Sequence, residues 1–442
     1  MASRAAFAAY LAAVVALGAY LVSGALARSV PAPWIAVWVA ELLLLAAAPR
    51  WPMAAVAAYL TMAYAVSSHG SLHDMLLSMR MLDGVAGLAL VSWILWRSSP
   101  AAAGLPLVRV PHSALALFAW VAVCVAVATS GGLPFGPFPR HDPSFFFQAA
   151  ALLALVADTL RTRGQMAFMS LMVAAIVIAR ALLQAPGGIH LESYLATLAV
   201  VCVPLALAGA ALATGAAQRA TFWLLAAGLA GVVVIGQNRA AAVAAIVAGL
   251  WFMQQQIRRS QLRRGTLLAL PAFVLAVGAW LATSNQAVRF RSLWDSQAHV
   301  GAGLDRATAS ERLGLWRAGW EMTRDHPIFG VGPGNYQALL PVYRPGMDPL
   351  AAHSNYVQMA AETGILGLML YLALFGGTIL ALSPLASQTA GGSRMAHVAR
   401  MLQISLVAYL AGGVFNSRHD FVLAYVIAGW ALAVIAASRR NP

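Results

Sequence analysis

The stretch HSNYVQMAAETGILGLMLYLALFGGTILAL, residues 353–382, decides what kind of protein this chain is. It opens with a histidine, His353, carries one acid, Glu362, and has no charged residue from Thr363 onward. About 20 consecutive apolar residues are enough to cross the hydrocarbon core of a bilayer as an α-helix. The stretch therefore predicts a membrane helix over residues 354–382 that has a titratable side chain at its start.

The rest of the chain repeats this apolar pattern. Of the 442 residues, 61% are hydrophobic and 10% are charged, and the mean hydropathy is +0.76. A soluble domain of this length does not need to be so apolar. We predict an all-α polytopic membrane protein with 12–14 transmembrane helices. The predicted spans are 5–27, 32–48, 51–68, 82–97, 112–129, 144–160, 164–184, 191–214, 219–235, 239–256, 266–284, 354–382, 396–415 and 420–438.

The arginines indicate how these helices cross the membrane. All 28 basic residues are arginine, and the formal net charge is +14. Cytoplasmic loops are enriched in basic residues. A cytoplasmic N-terminus puts the following on the cytoplasmic side: Arg50, Arg97, Arg109, Arg161, Arg163, Arg219, the run 258–264, Arg394, Arg400, Arg439 and Arg440. Both termini are therefore predicted in the cytoplasm, and the hydrophilic segment 285–353 on the opposite side.

The predicted organisation has three parts: N-terminal membrane helices over 1–284, a loop domain with short helices over 285–353, and C-terminal membrane helices over 354–442. The middle part is too long to be a simple connector. We therefore expect it to carry the function of the chain.

One helix is predicted inside this middle part, from the stretch TASERLGLWRAGWEMTRDHP at 308–327. Thr308 and Glu311 have the spacing of a capping box, and Pro327 ends the pattern. Leu313, Trp316 and Trp320 then share one face of the helix. This face is expected to rest on the membrane surface.

Asn238 and Arg239, in GQNRAAAVAAIVAG at 236–249, form a candidate anion site. Asparagine is a good N-cap, so the arginine lies in the first turn of a helix. The free N–H groups and the positive end of the helix dipole attract anions there. The alternative is an interfacial arginine that snorkels to the headgroups.

Two further arginines are candidates for the same chemistry. Arg312 lies in the predicted helix of the middle part, and it is either a second phosphate clamp or one half of a surface ion pair. Arg180 lies inside an apolar run, where a charge usually faces a polar cavity. For Arg180 too, snorkelling to the interface is the alternative.

His353 is the candidate general base. It stands at a predicted helix N-terminus, where the dipole disfavours the imidazolium form and a neutral imidazole can accept a proton. The alternative is a histidine that bonds the backbone at an interface. Glu362 is nine residues away, about 13 Å along a helix, and is expected to pack against polar groups of the bundle rather than His353. Arg418 and Asp420, in FNSRHD at 415–420, are better placed to orient a base.

The sequence has no HExxH, P-loop or GxSxG motif and no carboxylate cluster in the middle part. We therefore predict no metal and no cofactor. If a phosphate group is bound, arginine side chains are expected to neutralise its charge.

Three fragments in this order resemble the bacterial O-antigen ligase and polymerase superfamily: GQNRAAA, then SERLGLWRAGWEMTRDHPIFGVGPGNY at 310–336, then HSNYVQMAAETGILG. The resemblance covers roughly residues 220–440, and the first half is similar only as a series of apolar spans. Asn238 and Ser354 stand where many relatives have serine and asparagine respectively. Both substitutions keep a residue that can cap a helix, so they leave Arg239 and His353 as candidates.

The resemblance implies a GT-C-like glycosyltransferase in the bacterial inner membrane with its active site on the periplasmic face. The implied reaction is the inverting, metal-independent transfer of O-antigen polysaccharide from undecaprenyl diphosphate to lipid A–core oligosaccharide. His353, Arg312 and Arg239 would be catalytic. The candidate substrate-binding residues are Arg180, Asn238, Trp316, Arg418 and Asp420. The occurrence of Arg239, Arg312 and His353 together, in the family's order, favours the functional interpretation over the structural alternatives.

The predicted partners are the lipid-linked donor, the lipid A–core acceptor and the bilayer, with no nucleic acid, and the protein is expected to act as a monomer. The nearest alternative is an O-antigen polymerase, whose acceptor is a lipid-linked glycan. A protein-glycosylating relative and a transporter of lipid-linked glycans are further alternatives. A transporter of that kind usually has broken helices in corresponding halves and a charged site at the midplane.

Overall fold

The structure, a computed structural model, describes residues 4–27, 32–64, 81–131, 143–184, 193–236, 238–258, 309–388, 393–417 and 421–440. These ranges contain fifteen α-helices and no strand. The helices are α1 (Arg4–Ala27), α2 (Ala32–Ala47), α3 (Met53–Tyr64), α4 (Met81–Arg97), α5 (His112–Ser130), α6 (Ser144–Thr159), α7 (Arg163–Gln184), α8 (Ser193–Leu212), α9 (Ala216–Gly236), α10 (Arg239–Arg258), α11 (Ala309–Asp325), α12 (Tyr336–Tyr343), α13 (Asn355–Ala386), α14 (Arg394–Gly412) and α15 (Val422–Arg440).

Eight of the described helices are long and apolar enough to cross a membrane: α5, α7, α8, α9, α10, α13, α14 and α15. Shorter apolar helices occur in α1, α2, α3 and α6. This composition confirms the prediction of an all-α polytopic membrane protein. The predicted span 266–284 and the residues 285–308 of the middle part lie outside the described ranges.

Helix α8 lies at the centre of one half of the bundle, where it packs against α7, α9, α10 and α14. Small residues permit these close approaches. A Cβ on Gly209 would lie 2.3 Å from the Phe222 ring, and one on Gly412 would lie 2.7 Å from Thr197 Cγ2. Close packing of this kind is a main source of association between helices in lipid. One end of this group, which carries the start of α10 and the last residues of α14, holds the candidate site and is called the site end below.

Helix α13 is broken at Gly364, whose backbone has φ 73° and ψ 178°. The break divides the helix into a first arm, residues 355–363, and a second arm, residues 365–386. Asn355 Nδ2 on the first arm donates to the Tyr371 hydroxyl on the second at 3.3 Å. These residues are 16 apart, and a straight helix would separate them by about 24 Å, which their side chains cannot bridge. The first arm therefore folds back toward the second.

This geometry corrects the single predicted helix over 354–382. The second arm has 22 residues, about 33 Å of helix, and can cross the hydrocarbon core by itself. The start of the first arm instead lies beside the end of α14, where Asn355 N–H donates to the Gly413 carbonyl at 2.7 Å. From the second arm, the Tyr371 hydroxyl donates to the Tyr409 hydroxyl of α14 at 2.7 Å.

The backbone groups that the break releases are bonded to other parts of the chain. The carbonyls of residues 361 and 362 accept the N–H groups of Val331 and Gly332 at 2.8 and 3.0 Å, and Ile365 N–H donates to the Pro327 carbonyl at 3.0 Å. The Thr363 carbonyl accepts Trp120 Nε1–H of α5 at 2.9 Å. Since an unpaired backbone group in an apolar environment costs several kcal/mol, these bonds make the break stable.

The described part of the middle segment packs onto the first arm around a small apolar cluster. Its fully buried members are Leu315, Ala318, Met322, Val331, Tyr336, Leu340, Ala352 and Ala361. Helix α11 ends two residues before Pro327, as predicted, whereas Thr308 of the predicted capping box lies outside the described residues. Leu313 and Trp320 are exposed and Trp316 is half-buried, so the membrane contact of this face stays a prediction.

Replacing Gly364 by alanine is expected to destabilise the protein by more than about 3 kcal/mol. The new Cβ would lie 1.9 Å from the Ile328 carbonyl oxygen, and alanine is strained at a positive φ. The matched control is Gly376→Ala in the second arm, where a Cβ meets nothing within 4 Å and helix propensity favours alanine by about 1 kcal/mol. Thermal unfolding in detergent, followed by size-exclusion chromatography, measures both variants. Equal stability of the two would contradict the assigned break.

Candidate functional site

His353 adopts a left-handed backbone conformation, with φ 52°. Among the described residues no other non-glycine residue has a positive φ. Such a conformation costs on the order of 1–2 kcal/mol and persists only where the surroundings enforce it. Strain of this kind, held by the rest of the structure, is common at functional sites.

Four hydrogen bonds from three parts of the chain, namely α11, α13 and the segment after α14, hold the peptide groups around His353. Before it, the Ala352 carbonyl accepts Trp316 Nε1–H of α11 at 3.0 Å, and Ala352 N–H donates to Gln358 Oε1 at 3.3 Å. After it, Ser354 N–H donates to Ser417 Oγ at 3.1 Å, and Asn355 N–H donates to the Gly413 carbonyl at 2.7 Å. Ser354 is also the N-cap of α13, so this corner is fixed on both sides.

Arg312 and Trp316 lie on α11 one turn apart, about 6 Å along the same face. Trp316 binds the carbonyl that precedes His353, and Arg312 is half-buried. Trp316 also contacts the Phe415 ring, with 6.3 Å between the ring centroids. The structure therefore brings Trp316 to the residue before His353, and Arg312 lies one turn earlier on α11.

Asn238 caps α10, as predicted: its Oδ1 accepts the Ala240 N–H at 2.8 Å. Arg239 is the first residue of α10, and its side chain lies outside the described part of the structure. A Cβ on Gly412 would lie 3.8 Å from the Ala240 carbonyl oxygen. The start of α10 therefore reaches the end of α14, next to the residues that hold His353.

The first turns of four helices meet at the site end: those of α8, α10, α13 and α15. A narrow crevice connects three of them and the end of α14, lined by Tyr194, Thr197, Leu198, Val201, Asn355, Tyr409, Gly412, Gly413, Asn416 and Phe421. Across it, Asn416 Nδ2 donates to Thr197 Oγ1 at 3.0 Å. The positive ends of several converging helix dipoles favour an anion at this place.

Arg180 lies behind this crevice, near the end of α7. It is 3% exposed, its Nη1 donates to the Tyr64 carbonyl at 2.7 Å, and its guanidinium lies 4.7 Å from the centroid of the Tyr194 ring. A buried guanidinium with these partners is not an interfacial arginine that snorkels to the headgroups. Tyr194 lines the crevice, so Arg180 adds positive charge directly behind its wall.

Arg418 and Asp420 lie outside the described residues. The residue before them, Ser417, accepts the Ser354 N–H at 3.1 Å. Glu362 is 1% exposed and accepts Gln358 Nε2–H at 3.0 Å. This bond confirms that Glu362 packs against a polar group of the bundle.

One ion pair of the middle segment joins α11 to the residue that follows α12. Arg344 donates to both carboxylate oxygens of Glu321, at 2.7 and 2.8 Å. This contact lowers the pKa of Glu321 and raises that of Arg344. Burial and the nearby negative charge of Glu362 raise the pKa of Tyr336 above its usual range. The Tyr336 hydroxyl donates to the Leu315 carbonyl of α11 at 2.6 Å.

Three residues important for the site were not predicted from the sequence: Gln358, Ser417 and Gly413. Gln358 was detectable in principle, because a polar side chain in an apolar helix is costly unless it is hydrogen-bonded. Ser417 and Gly413 contact residues more than fifty positions away, and no local signal identifies them. Throughout the described ranges, no group of three or more His, Cys, Asp or Glu side chains is arranged to hold a metal ion.

Replacing Trp316 by phenylalanine should lower the stability by about 1 kcal/mol, because it removes the hydrogen bond to the Ala352 carbonyl and keeps most of the ring packing. Trp320→Phe is the control, since Trp320 is 65% exposed on the same helix. Thermal unfolding midpoints in detergent compare the two variants. Equal midpoints would mean that the indole N–H does not secure the corner at His353.

Residues 220–372 match the model of a protein family described as O-antigen ligase. A search of the curated proteins finds no match. The matched region is about a third of the chain and contains the start of α10, helix α11 and the corner at His353. It also contains the break at Gly364 and the loop that binds it. The family resemblance seen in the sequence is confirmed over residues 220–372, and this region of the chain is similar to the O-antigen ligase family.

Proposed function

We propose that this protein is an O-antigen ligase. It transfers O-antigen polysaccharide from undecaprenyl diphosphate to lipid A–core oligosaccharide at the periplasmic face of the bacterial inner membrane, and both of its termini are cytoplasmic. His353 is the general base, and Arg239 and Arg312 stabilise the diphosphate. Arg180, Asn238, Trp316, Arg418 and Asp420 contribute to substrate binding.

The observation that carries this proposal is the corner at His353. Its strained backbone is fixed by bonds from α11, α13 and both ends of the segment after α14. A histidine with only a structural role does not need a left-handed conformation held by three parts of the chain. A general base does need a fixed position, because proton transfer requires a donor–acceptor distance of about 2.6–3.2 Å.

The electrostatics of the site end support a donor that carries phosphate. The first turns of α8, α10, α13 and α15 meet there, Arg180 lies behind the crevice, and α11 carries Arg312 one turn before Trp316. Fixed positive charge and N–H dipoles stabilise a leaving group that gains negative charge in the transition state. Arginine binds phosphate oxygens in a bidentate manner, so it is suited to this role.

The reaction follows from these roles. The acceptor hydroxyl attacks the anomeric carbon of the glycan while His353 takes the hydroxyl proton. The bond between the anomeric carbon and the phosphate oxygen breaks, and its electron pair leaves with the undecaprenyl diphosphate. Because attack and departure occur on opposite sides of that carbon, the configuration inverts without a covalent enzyme intermediate.

The O-antigen polymerase is the second candidate, since the same family match and the same site would serve a lipid-linked acceptor. The transporter alternative is less well supported. Helix α13 is broken, yet the carbonyls of residues 361, 362 and 363 are bonded to the protein rather than directed at a substrate cavity. This differs from transporters, in which broken helices direct free ends at the cargo.

Complementation of a ligase-deficient Gram-negative strain, with compatible core and O-antigen, tests the proposal on a lipopolysaccharide gel. The wild-type protein is expected to restore the long-chain ladder. His353→Ala, Arg239→Ala and Arg312→Ala should each reduce it by roughly 100-fold or more, because each removes a group that acts on the transition state.

Arg324→Ala is the matched control on α11, since its side chain is 68% exposed, and it should restore the full ladder. Membrane levels of every variant are compared by immunoblot. Bare core together with longer lipid-linked polymer from the wild-type protein would favour the polymerase. A full ladder from His353→Ala would exclude His353 as the base.

A further inference from the structure

Two buried polar side chains beside the site, Gln358 and Glu362, have no part in the proposed reaction. Both lie on the first arm of α13, four residues apart, and they are 0% and 1% exposed. Polar side chains at such positions in a membrane protein are costly unless they are hydrogen-bonded, and they commonly mark functional regions.

The hydrogen bonds of Gln358 have a fixed polarity. Its Nε2–H group donates to Glu362 Oε1 at 3.0 Å, and its Oε1 accepts the Ala352 N–H at 3.3 Å. With the amide reversed, the NH₂ group would face another donor, the Ala352 N–H. The amide oxygen would then face the carboxylate. Glu362 therefore determines which way the Gln358 amide points.

Ala352 transmits this orientation to His353. Its N–H is held by Gln358 and its carbonyl by Trp316, so the peptide groups on both sides of Ala352 are fixed. The second of these peptide groups is the one that precedes the left-handed His353. A direct contact between Glu362 and His353 is not needed, since the chain of bonds runs from Glu362 through Gln358 to Ala352.

We propose that Gln358 and Glu362 are positioning residues for the general base. They hold the backbone before His353 in the conformation that presents the imidazole to the acceptor hydroxyl. This inference rests on the proposed role of His353, and it adds two residues that set the geometry of the base without touching a substrate.

Each of these hydrogen bonds has a defined donor and acceptor, so exchanging the side chains at positions 358 and 362 tests the proposal. Gln358→Glu places a carboxylate against Glu362, so the link between them is lost. The double variant Gln358→Glu/Glu362→Gln restores it with the reverse donor, because the new glutamine donates to the new glutamate, whose second oxygen accepts the Ala352 N–H. Gln358→Met keeps the volume and removes both bonds.

The assay is glycan transfer by the purified full-length protein in nanodiscs, with an undecaprenyl-diphosphate-linked glycan as donor and lipid A–core as acceptor. Gln358→Glu and Gln358→Met are expected to lower kcat by about 10- to 100-fold with KM for the donor changed less than about 2-fold. The double variant should regain at least half of the wild-type kcat. Size-exclusion profiles and unfolding midpoints identify any variant that fails to fold.

Wild-type kcat in a folded Gln358→Met variant would overturn the proposal, and so would a folded double variant as inactive as Gln358→Glu. His353→Ala is assayed in parallel. If His353→Ala is inactive while Gln358→Met is fully active, the positioning role is excluded and the proposed base is retained. If His353→Ala retains full activity, the proposed base and its positioning residues fail together.

Discussion

The interaction on which the rest of the structure depends is the pairing of the backbone groups at Gly364. A break in a membrane helix exposes carbonyl and N–H groups that lipid cannot satisfy. Here the chain from Pro327 to Gly332 binds three of these groups, and Trp120 of α5 binds a fourth. Without the loop, backbone groups at the break would be unpaired, and without the break, those of the loop would be. The break and the loop that binds it therefore form one unit.

This unit explains how a hydrophilic segment between membrane helices becomes part of a site. Because the loop after α11 is bound to the break, α11 lies along the first arm and Trp316 reaches the carbonyl before His353. The fold-back of the first arm brings Asn355 to the end of α14. His353 therefore stands where the middle segment, the first arm and the chain after α14 all meet.

The arginines of the chain have different structural roles at the two ends of the bundle. Away from the site, Arg97 and Arg161 bind the buried carboxylate of Asp158, and Arg161 Nη2 lies 2.8 Å from Asp158 Oδ1. These arginines are partnered by an acid. Arg180 at the site end donates to the Tyr64 carbonyl and lies against the Tyr194 ring.

The sequence by itself determined the helices, because apolar runs and capping residues are local signals. The predicted span 144–160 corresponds to α6, residues 144–159, and Asn238 caps α10 as its position indicated. It also identified the residue types of the site, together with their order along the chain. Only the tertiary structure decided the break at Gly364, the left-handed His353 and the link from Glu362 through Gln358. These features depend on contacts such as that between Trp120 and the Thr363 carbonyl, 243 positions apart, and such contacts form only when the helices pack.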